Sequence, residues 1–365
     1  MQEIRFSDKE KNVFFATLRS RVDQYFKTNQ ISKYYNKGMV AKTVILLSAY
    51  ILPFIALLFI PMPTWLFFAL WLLMGFAIAG IGMGVMHDAN HGSYSKSGKA
   101  NFWLGHTLNL LGASVFNWKL QHNMMHHTYT NVIELDHDIE DKVILRFSPH
   151  TEVKWFHRFQ FIYAFFLYGI LTLNWTFYKD FDQFRAYIKQ GVNRAGKKKN
   201  RQQFVKLLIS KIAYVFIFLV APIWLLGMPA GSWILGFVIM HFFAGLILSV
   251  VFQLAHTVEH TTHPRPDEHG NIENSWAIHQ MNTTVNFSRN SKIISWYVGG
   301  LNFQVEHHLF PNICHVHYPA IAPIVKQTAE EFGIPYLENK TFLSAVGSHI
   351  RLLKALGKKP EFSMA

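Results

Sequence analysis

The amino-acid sequence predicts an all-α integral membrane protein, with four transmembrane helices in two hairpins and a cytoplasmic helical cap. Half of the 365 residues are hydrophobic and only 16% are charged, against about 25% in soluble domains. Such a composition is hard to bury in one globular core, because folding leaves much of the surface facing solvent. Long apolar stretches also alternate with segments rich in Lys and Arg. We therefore expect lipid to solvate the apolar surface.

Four apolar stretches approach the length of about 20 residues that a bilayer-spanning helix needs. They cover residues 44–60, 65–86, 207–226 and 233–254. Within each pair the connector is short and uncharged, at residues 61–64 and 227–232. Short connectors join antiparallel neighbours, so the sequence predicts two helical hairpins.

Basic residues indicate the orientation of these spans. The N-terminal arm, the central segment and the tail each carry several, including Arg21, Lys198 and Arg351. Because cytoplasmic loops are enriched in Lys and Arg, we expect both termini and the histidine clusters in the cytoplasm, at the inner membrane if the source is bacterial. Residues 102–116 and 159–178 are also apolar, and we expect interfacial or half-inserted helices there. If either stretch crossed the membrane alone as an additional span, the histidine clusters would lie on opposite faces of the membrane.

Composition also restricts the partners and the organisation of the chain. The net charge of +13 could indicate nucleic acid, but the basic residues lie between and outside the apolar stretches, which favours membrane lipids and no nucleic acid. A single cysteine, Cys314, excludes an internal disulfide. The mixed-charge N-terminus does not read as a signal peptide. No repeat or linker divides the sequence, so we expect one domain over residues 1–365 with its core at about 40–330.

Several of the 20 histidines stand in clusters beside the apolar stretches. Each cluster has the short spacing that brings side chains together on a helix. The clusters are His87 with His91, His122 with His126 and His127, His256 with His260, and Gln304 with His307 and His308.

The spacing of these histidines indicates a metal centre. Residues four apart share a helix face, so His87 and His91 can bind one ion, as can His122 and His126. His127 lies about 100° further round the helix and can reach a neighbouring ion. Eight histidines exceed the needs of one four-coordinate zinc and suit two ions, although imidazole does not select the metal. Taken singly, each cluster could be a hydrogen-bonded pair at the membrane surface; together they favour metal.

Two acids, Asp136 and Asp138, closely follow the second cluster. Neutral imidazoles do not balance the charge of two dications, and a carboxylate can accept the second ring N–H of a ligand and orient it. The alternative is a pair of solvated loop acids. We expect no catalytic side chain beyond the metal ligands and these supporting groups.

The HxxxH, HxxHH and QxxHH boxes resemble the membrane fatty acid desaturase family over about residues 40–330. The resemblance implies O2 as cosubstrate, a fatty acyl lipid or acyl-CoA as substrate, and a cis double bond in the product. Gln304, in place of a first histidine in the last box, is similar to the front-end branch, which acts between an existing double bond and the carboxyl end. The family also implies two iron ions, with Gln304 as a weak or water-mediated ligand and His256 preferred over His260. The implied histidine ligands are His87, His91, His122, His126, His127, His256, His307 and His308.

Eukaryotic front-end members often carry a fused b-type cytochrome domain with a His-Pro-Gly-Gly motif, and this sequence lacks that motif. We therefore expect electrons from a separate donor, such as a ferredoxin or a b-type cytochrome. A lipid or carotenoid hydroxylase remains an alternative, because hydroxylation and desaturation share the first hydrogen abstraction. A non-enzymatic metal transporter or His-rich receptor is disfavoured, because transport places polar groups near the middle of the spans. The four apolar stretches are almost free of charge.

Overall fold

The computed structural model describes residues 4–7, 13–139 and 143–358 and is mostly helical in them. Four of its helices are long and apolar enough to cross a membrane, which confirms the four predicted stretches. In chain order, and named here the first to fourth spans, they are Lys37–Phe59, Thr64–Asn90, Lys197–Leu225 and Ala230–His256. The second and fourth begin before and continue beyond the predicted stretches, and the end of each carries histidine.

The second and fourth spans pack closely along each other. A Cβ atom at Gly75 would lie 2.6 Å from the carbonyl oxygen of Met240, and one at Gly236 would lie 2.2 Å from the Trp71 ring. Trp71 and Trp233 meet edge to face with their ring centroids 5.2 Å apart. Small residues of this kind let helices approach closely in lipid, and the approach fixes the separation of the two span ends.

The second span changes its winding just before its histidines. It is α-helical from Thr64 to Gly80, π-helical at Ile81–Val85, and α-helical again at Met86–Asn90. The third span likewise ends in a π-helical stretch, Phe216–Leu225. A π-helical turn within an α-helix rotates the residues that follow it and is frequent at functional sites.

The two further apolar stretches do not form straight spans. Residues 102–116 fall in three short helices, Gly98–Gly105, Thr107–Leu110 and Val115–Trp118. The segments Trp155–Gly169 and Leu171–Lys189 bend by 53° between them, the shape of a broken span or a re-entrant loop. In chain order these segments contain the elements Trp155–Phe159 (3₁₀), Gln160–Gly169 (α), Leu171–Asn174 (α), Trp175–Lys179 (π) and Asp180–Lys189 (α).

The remaining helices and strands lie outside the four spans. Val13–Thr28 packs on Tyr318–Glu331 through a buried apolar cluster that includes Leu18 and Val325. Two short parallel strand pairs join distant parts of the chain: β1 (Arg5–Phe6) with β2 (Asn271–Ile272), and β3 (Asn286–Phe287) with β4 (Glu338–Asn339). The other elements are Lys119–His126 (π-helical), His127–Tyr129, Trp276–Thr283, Lys292–Tyr297, Gln304–Leu309, His315–His317 (3₁₀) and Phe342–Leu356.

Candidate metal centre

Eight histidines converge where the second and fourth spans end. The second span contributes two, the π-helical segment and the turn after it three, the fourth span one, and the short helix Gln304–Leu309 two. All are buried except His91, which is half-buried. The residues that the sequence predicts as ligands therefore come from four separate segments and meet in one place.

Four imidazoles form the first group. Their nearest ring nitrogens all lie within 4.8 Å of one another, and Nε2 of His87 is 3.2 Å from Nε2 of His122. Two nitrogens bound to one ion at about 2.1 Å, with angles of about 90–110°, would be about 3.0–3.4 Å apart. The spacing therefore suits a shared cation. The members of this group are His87, His91, His122 and His307.

A second group adjoins the first. His126, His256 and His308 bring their ring nitrogens within the same distance of one another. His127 lies between the groups: its Nε2 is 3.3 Å from Nε2 of His122, and it also clusters with His307 and His308. The result is two adjoining sets of imidazoles, as two neighbouring ions require.

The π-helical segment Lys119–His126 accounts for the division of the second box. The sequence spacing alone pairs His122 with His126, and their rings do stack with centroids 5.1 Å apart. In a π-helix, however, residues five apart approach along the ladder, which brings His122 to His127. His122 lies in the first group and His126 in the second, and the two also meet each other in a group with Asp138.

Hydrogen bonding provides a test of whether metal ions fit this site. Nε2 of His91, His126, His307 and His308 is buried without a hydrogen-bond partner. A buried polar nitrogen without a partner is costly, and a bound cation would satisfy it. Burial and the neighbouring imidazoles also lower the pKa of His127, His307 and His308 well below the ordinary value, which keeps the rings neutral as ligands must be. The residues present therefore fit two metal ions.

Asp136 and Asp138 contact the rings of the second box. Nδ1 of His126 donates to Asp136 Oδ2 at 2.9 Å, and Nδ1 of His122 donates to Asp138 Oδ2 at 3.1 Å. Burial acts to lower the pKa of the His126 ring, but the negative charge of Asp136 and the hydrogen bond to it outweigh burial and raise that pKa above its ordinary value. Each carboxylate turns the opposite ring nitrogen toward the centre, in the arrangement that orients metal ligands.

Three further contacts orient imidazoles of the centre and were not predicted from the sequence. Nδ1 of His308 donates to Gln280 Oε1 at 2.7 Å, and Gln280 also accepts from the Thr130 hydroxyl at 2.8 Å. Nδ1 of His256 donates to the carbonyl of Thr283 at 3.2 Å. The Tyr318 hydroxyl lies 3.3 Å from Nδ1 of His307. An amide, a hydroxyl and a backbone carbonyl have no recognisable spacing from the boxes, so no sequence signal identifies them.

Gln304 and His260 differ in how they relate to the centre. The Gln304 amide nitrogen is 2.7 Å from Nε2 of His256, and its Oε1 is buried without a partner, so this side chain stands beside the second group. His260 is exposed in a turn at φ +74° and belongs to neither group. The structure thus places His256, and not His260, among the clustered imidazoles.

A cavity lined by residues of the second and fourth spans reaches the first group. His87 and His122 line it, and along the second span it continues past Gly82 to Ile78. Ile78 precedes His87 by nine residues, so at about 1.5 Å per residue the cavity extends about 13 Å from the histidines toward the middle of the span. Its walls are mainly apolar, which suits a long hydrocarbon chain.

The fold and the site define a class of protein. It is an all-α membrane protein in which span ends hold adjoining imidazole groups suited to metal ions, beside an apolar cavity. Comparison with known proteins identifies the family: the model of the fatty acid desaturase family matches residues 63–340. The chain belongs to the fatty acid desaturase family, and it is an oxidoreductase that desaturates fatty acids.

Its similarity to individual desaturases extends over nearly the whole chain. It is 36% identical to the sn-1 linoleoyl-lipid 6-desaturase of Arthrospira platensis, over 95% of this chain and 94% of that protein. It is 37% identical to the acyl-lipid (8-3)-desaturase of Physcomitrium patens, over 97% of this chain and 74% of that protein. A second sn-1 linoleoyl-lipid 6-desaturase, from Synechocystis, is 34% identical over 98% of both chains.

Proposed function

We propose that this protein is an O2-dependent di-iron desaturase that places a cis double bond in the acyl chain of a membrane lipid. The observation that carries the proposal is the pair of adjoining imidazole groups with unpartnered nitrogens at the wall of an apolar cavity. The first iron would be held by the first group and the second iron by His126, His256 and His308. His127 lies where it can complete either set, and Gln304 lies where it can contribute weakly or through water.

The position of the new double bond is part of the proposal. The relatives named above are called 6- and (8-3)-desaturases of acyl lipids, and the last box has glutamine in its first position. Both features support front-end action, between an existing double bond and the carboxyl end. The cavity extends about 13 Å beyond His87, a space for the methyl-terminal part of the chain, while the carboxyl end would remain near the histidines.

The protein's own residues would perform binding, orientation and exclusion of water. Removal of hydrogen from an unactivated methylene needs an oxidant that no side chain supplies, and the irons with O2 would supply it. The overall reaction takes two hydrogens from adjacent carbons and, with two electrons and two protons, reduces O2 to two waters. Leu108, Leu111 and Phe252 line the cavity and would keep the chain dry and in register beside His87 and His122.

The electrons would come from a separate protein. A ferredoxin or a b-type cytochrome is suitable, and its acidic surface would meet the basic segments of the chain. The positive-inside pattern supports a cytoplasmic location for these segments and for the histidine centre. In this proposal the whole chain forms one desaturase domain.

The proposal is tested by expression in a desaturase-deficient host that is fed defined fatty acids, with products identified by gas chromatography and mass spectrometry. We expect one additional double bond, which is lost in His256→Ala and retained in His260→Ala. The two histidines are four residues apart, His256 at the end of the fourth span and His260 in the turn after it, so the second variant is a matched control. A hydroxylated product would make the enzyme a hydroxylase with the same centre. Full activity of His256→Ala would contradict its role as a ligand.

A further inference from the structure

The third box stands on a very short helix. Gln304–Leu309 has six residues, and Phe303 before it makes no side-chain capping bond. An isolated helix of this length is unstable, because nucleation is costly and few hydrogen bonds follow it. Yet this helix supplies His307 to the first group and His308 to the second. Its orientation must therefore be fixed by contacts with the rest of the protein.

Apolar contacts provide part of this support. Val305 and Leu309 are buried in the cluster that also contains Ile321 and Ala322. Such contacts are strong but weakly directional. They hold the helix against the protein, while rotation about the helix axis would still move the two ring nitrogens.

Glu306 supplies the directional contact. At about 100° per residue it lies about 160° from Gln304 and His308, on the side of the helix away from the centre. Its side chain is fully buried, and its two oxygens accept from Asn286 Nδ2 and from the Tyr336 hydroxyl, each at 2.8 Å. Asn286 also accepts the backbone N–H of Val305 at 2.9 Å. Asn286 and Tyr336, which lie outside the helix, thus form hydrogen bonds with it at the adjacent positions Val305 and Glu306.

Further contacts connect these residues to the segment 336–339, in the C-terminal part of the chain. β3, which contains Asn286, pairs with β4 two residues after Tyr336. Arg289 forms a two-point ion pair with Glu338, with N–O distances of 2.9 and 2.7 Å, and its guanidinium lies 5.4 Å from the centre of the Tyr336 ring. Asn286 Nδ2 also donates to the Tyr336 hydroxyl at 2.7 Å. Contacts with the ring and with the hydroxyl thus fix the position in which Tyr336 donates to Glu306.

We propose that Glu306, Asn286 and Tyr336 form a positioning lock, in which the tail of the chain sets the orientation of His307 and His308. None of the three contacts the ring nitrogens of the centre; they act through the short helix. The inference rests on the proposed ligand roles of His307 and His308. It gives the segment after the last histidine box a specific role in metal retention.

The test is iron retention in the full-length protein in nanodiscs, measured as loss of Fe2+ to a chelator of known affinity. Tyr336→Phe removes one hydroxyl and keeps the ring, and we expect iron affinity to fall about tenfold, the lower end of the effect of removing a contact that orients a ligand. Glu306→Gln keeps an acceptor oxygen and should lose less than Glu306→Leu. The control is Tyr50→Phe, which removes another buried tyrosine hydroxyl, one that donates from the first span to the carbonyl of Leu110 in a neighbouring short helix.

The outcomes separate the lock from the proposed function. Weaker iron retention in Tyr336→Phe, with wild-type retention in Tyr50→Phe at a similar melting temperature, supports the lock. Wild-type iron retention in Tyr336→Phe and Glu306→Leu would overturn it while leaving the di-iron site intact. A wild-type protein that binds no iron would instead contradict the proposed function. Should Glu306→Leu fail to fold, Tyr336→Phe and Glu306→Gln decide the matter.

Discussion

His241, midway along the fourth span, and His256, at its end, are both fully buried imidazoles. Nδ1 of His241 donates to the Thr172 hydroxyl at 3.0 Å, and its Nε2 accepts from the Tyr214 hydroxyl at 2.9 Å. The Thr172 hydroxyl in turn donates to the backbone carbonyl of His241 at 2.7 Å. Both ring nitrogens are therefore satisfied by the protein, and none is left for a cation.

Histidines of the centre have a different pattern of partners. Nδ1 of His126 and His308 is held by a carboxylate or an amide, while Nε2 is buried and unpartnered. Burial alone does not identify a candidate ligand, and neither does a free nitrogen, because both ring nitrogens of His256 are also partnered, by Thr283 and Gln304. What separates the histidines of the centre is that their imidazoles cluster with one another. His279 illustrates this condition, because its Nε2 is also unpartnered but it joins no cluster among the described residues.

The largest expected effect comes from replacing a histidine of the centre, and it is measured against replacement of the mid-span histidine His241. His308→Ala should lose at least one iron and abolish desaturation, because it removes a ligand. His241→Gln should keep iron and activity, with a stability loss of about 1 kcal/mol from weaker hydrogen bonds. Iron content by mass spectrometry and product by gas chromatography check both. Loss of iron in His241→Gln would break the distinction between the two regions.

The sequence could predict the four spans and the histidines that cluster, because apolar length and i, i+4 spacing are local properties. It could not predict that His122 and His126 would join different groups, since that depends on π-helical winding of Lys119–His126. Residue spacing also does not show why His256 joins the clustered imidazoles and His241 does not. Their partners Thr172 and Gln304 lie 69 and 48 residues away in the chain, so only tertiary packing makes them neighbours.

A smaller effect is expected from the carboxylate that orients His126. Asp136→Asn keeps the shape but removes the charge and weakens the acceptor for Nδ1 of His126. We expect a 10- to 100-fold fall in iron affinity with the fold retained. Chelator competition measures it, and Asp182→Asn, an exposed acid on another helix, is the control. Unchanged iron affinity in Asp136→Asn would show that the carboxylate is not needed to orient the ring.

The smallest expected effect on the metal concerns the cavity. Gly82→Leu should fill part of the cavity without touching a histidine, since even a Cβ there would lie 3.2 Å from Leu248. Iron content should stay at the wild-type value, while turnover of long acyl chains falls about tenfold or more relative to short ones. Gly231→Leu, where a Cβ meets open space, is the control. Competition between long and short acyl chains measures the ratio of their turnover. An unchanged ratio in Gly82→Leu would show that the acyl chain does not lie in this cavity.

The metal content of the purified wild-type protein tests the central claim most directly. Protein expressed in iron-supplemented medium and reconstituted in nanodiscs should contain two irons per chain by inductively coupled plasma mass spectrometry. His256→Ala should contain fewer, and His260→Ala should contain two. A wild-type protein with no iron, or with a single ion that both variants retain, would contradict the account.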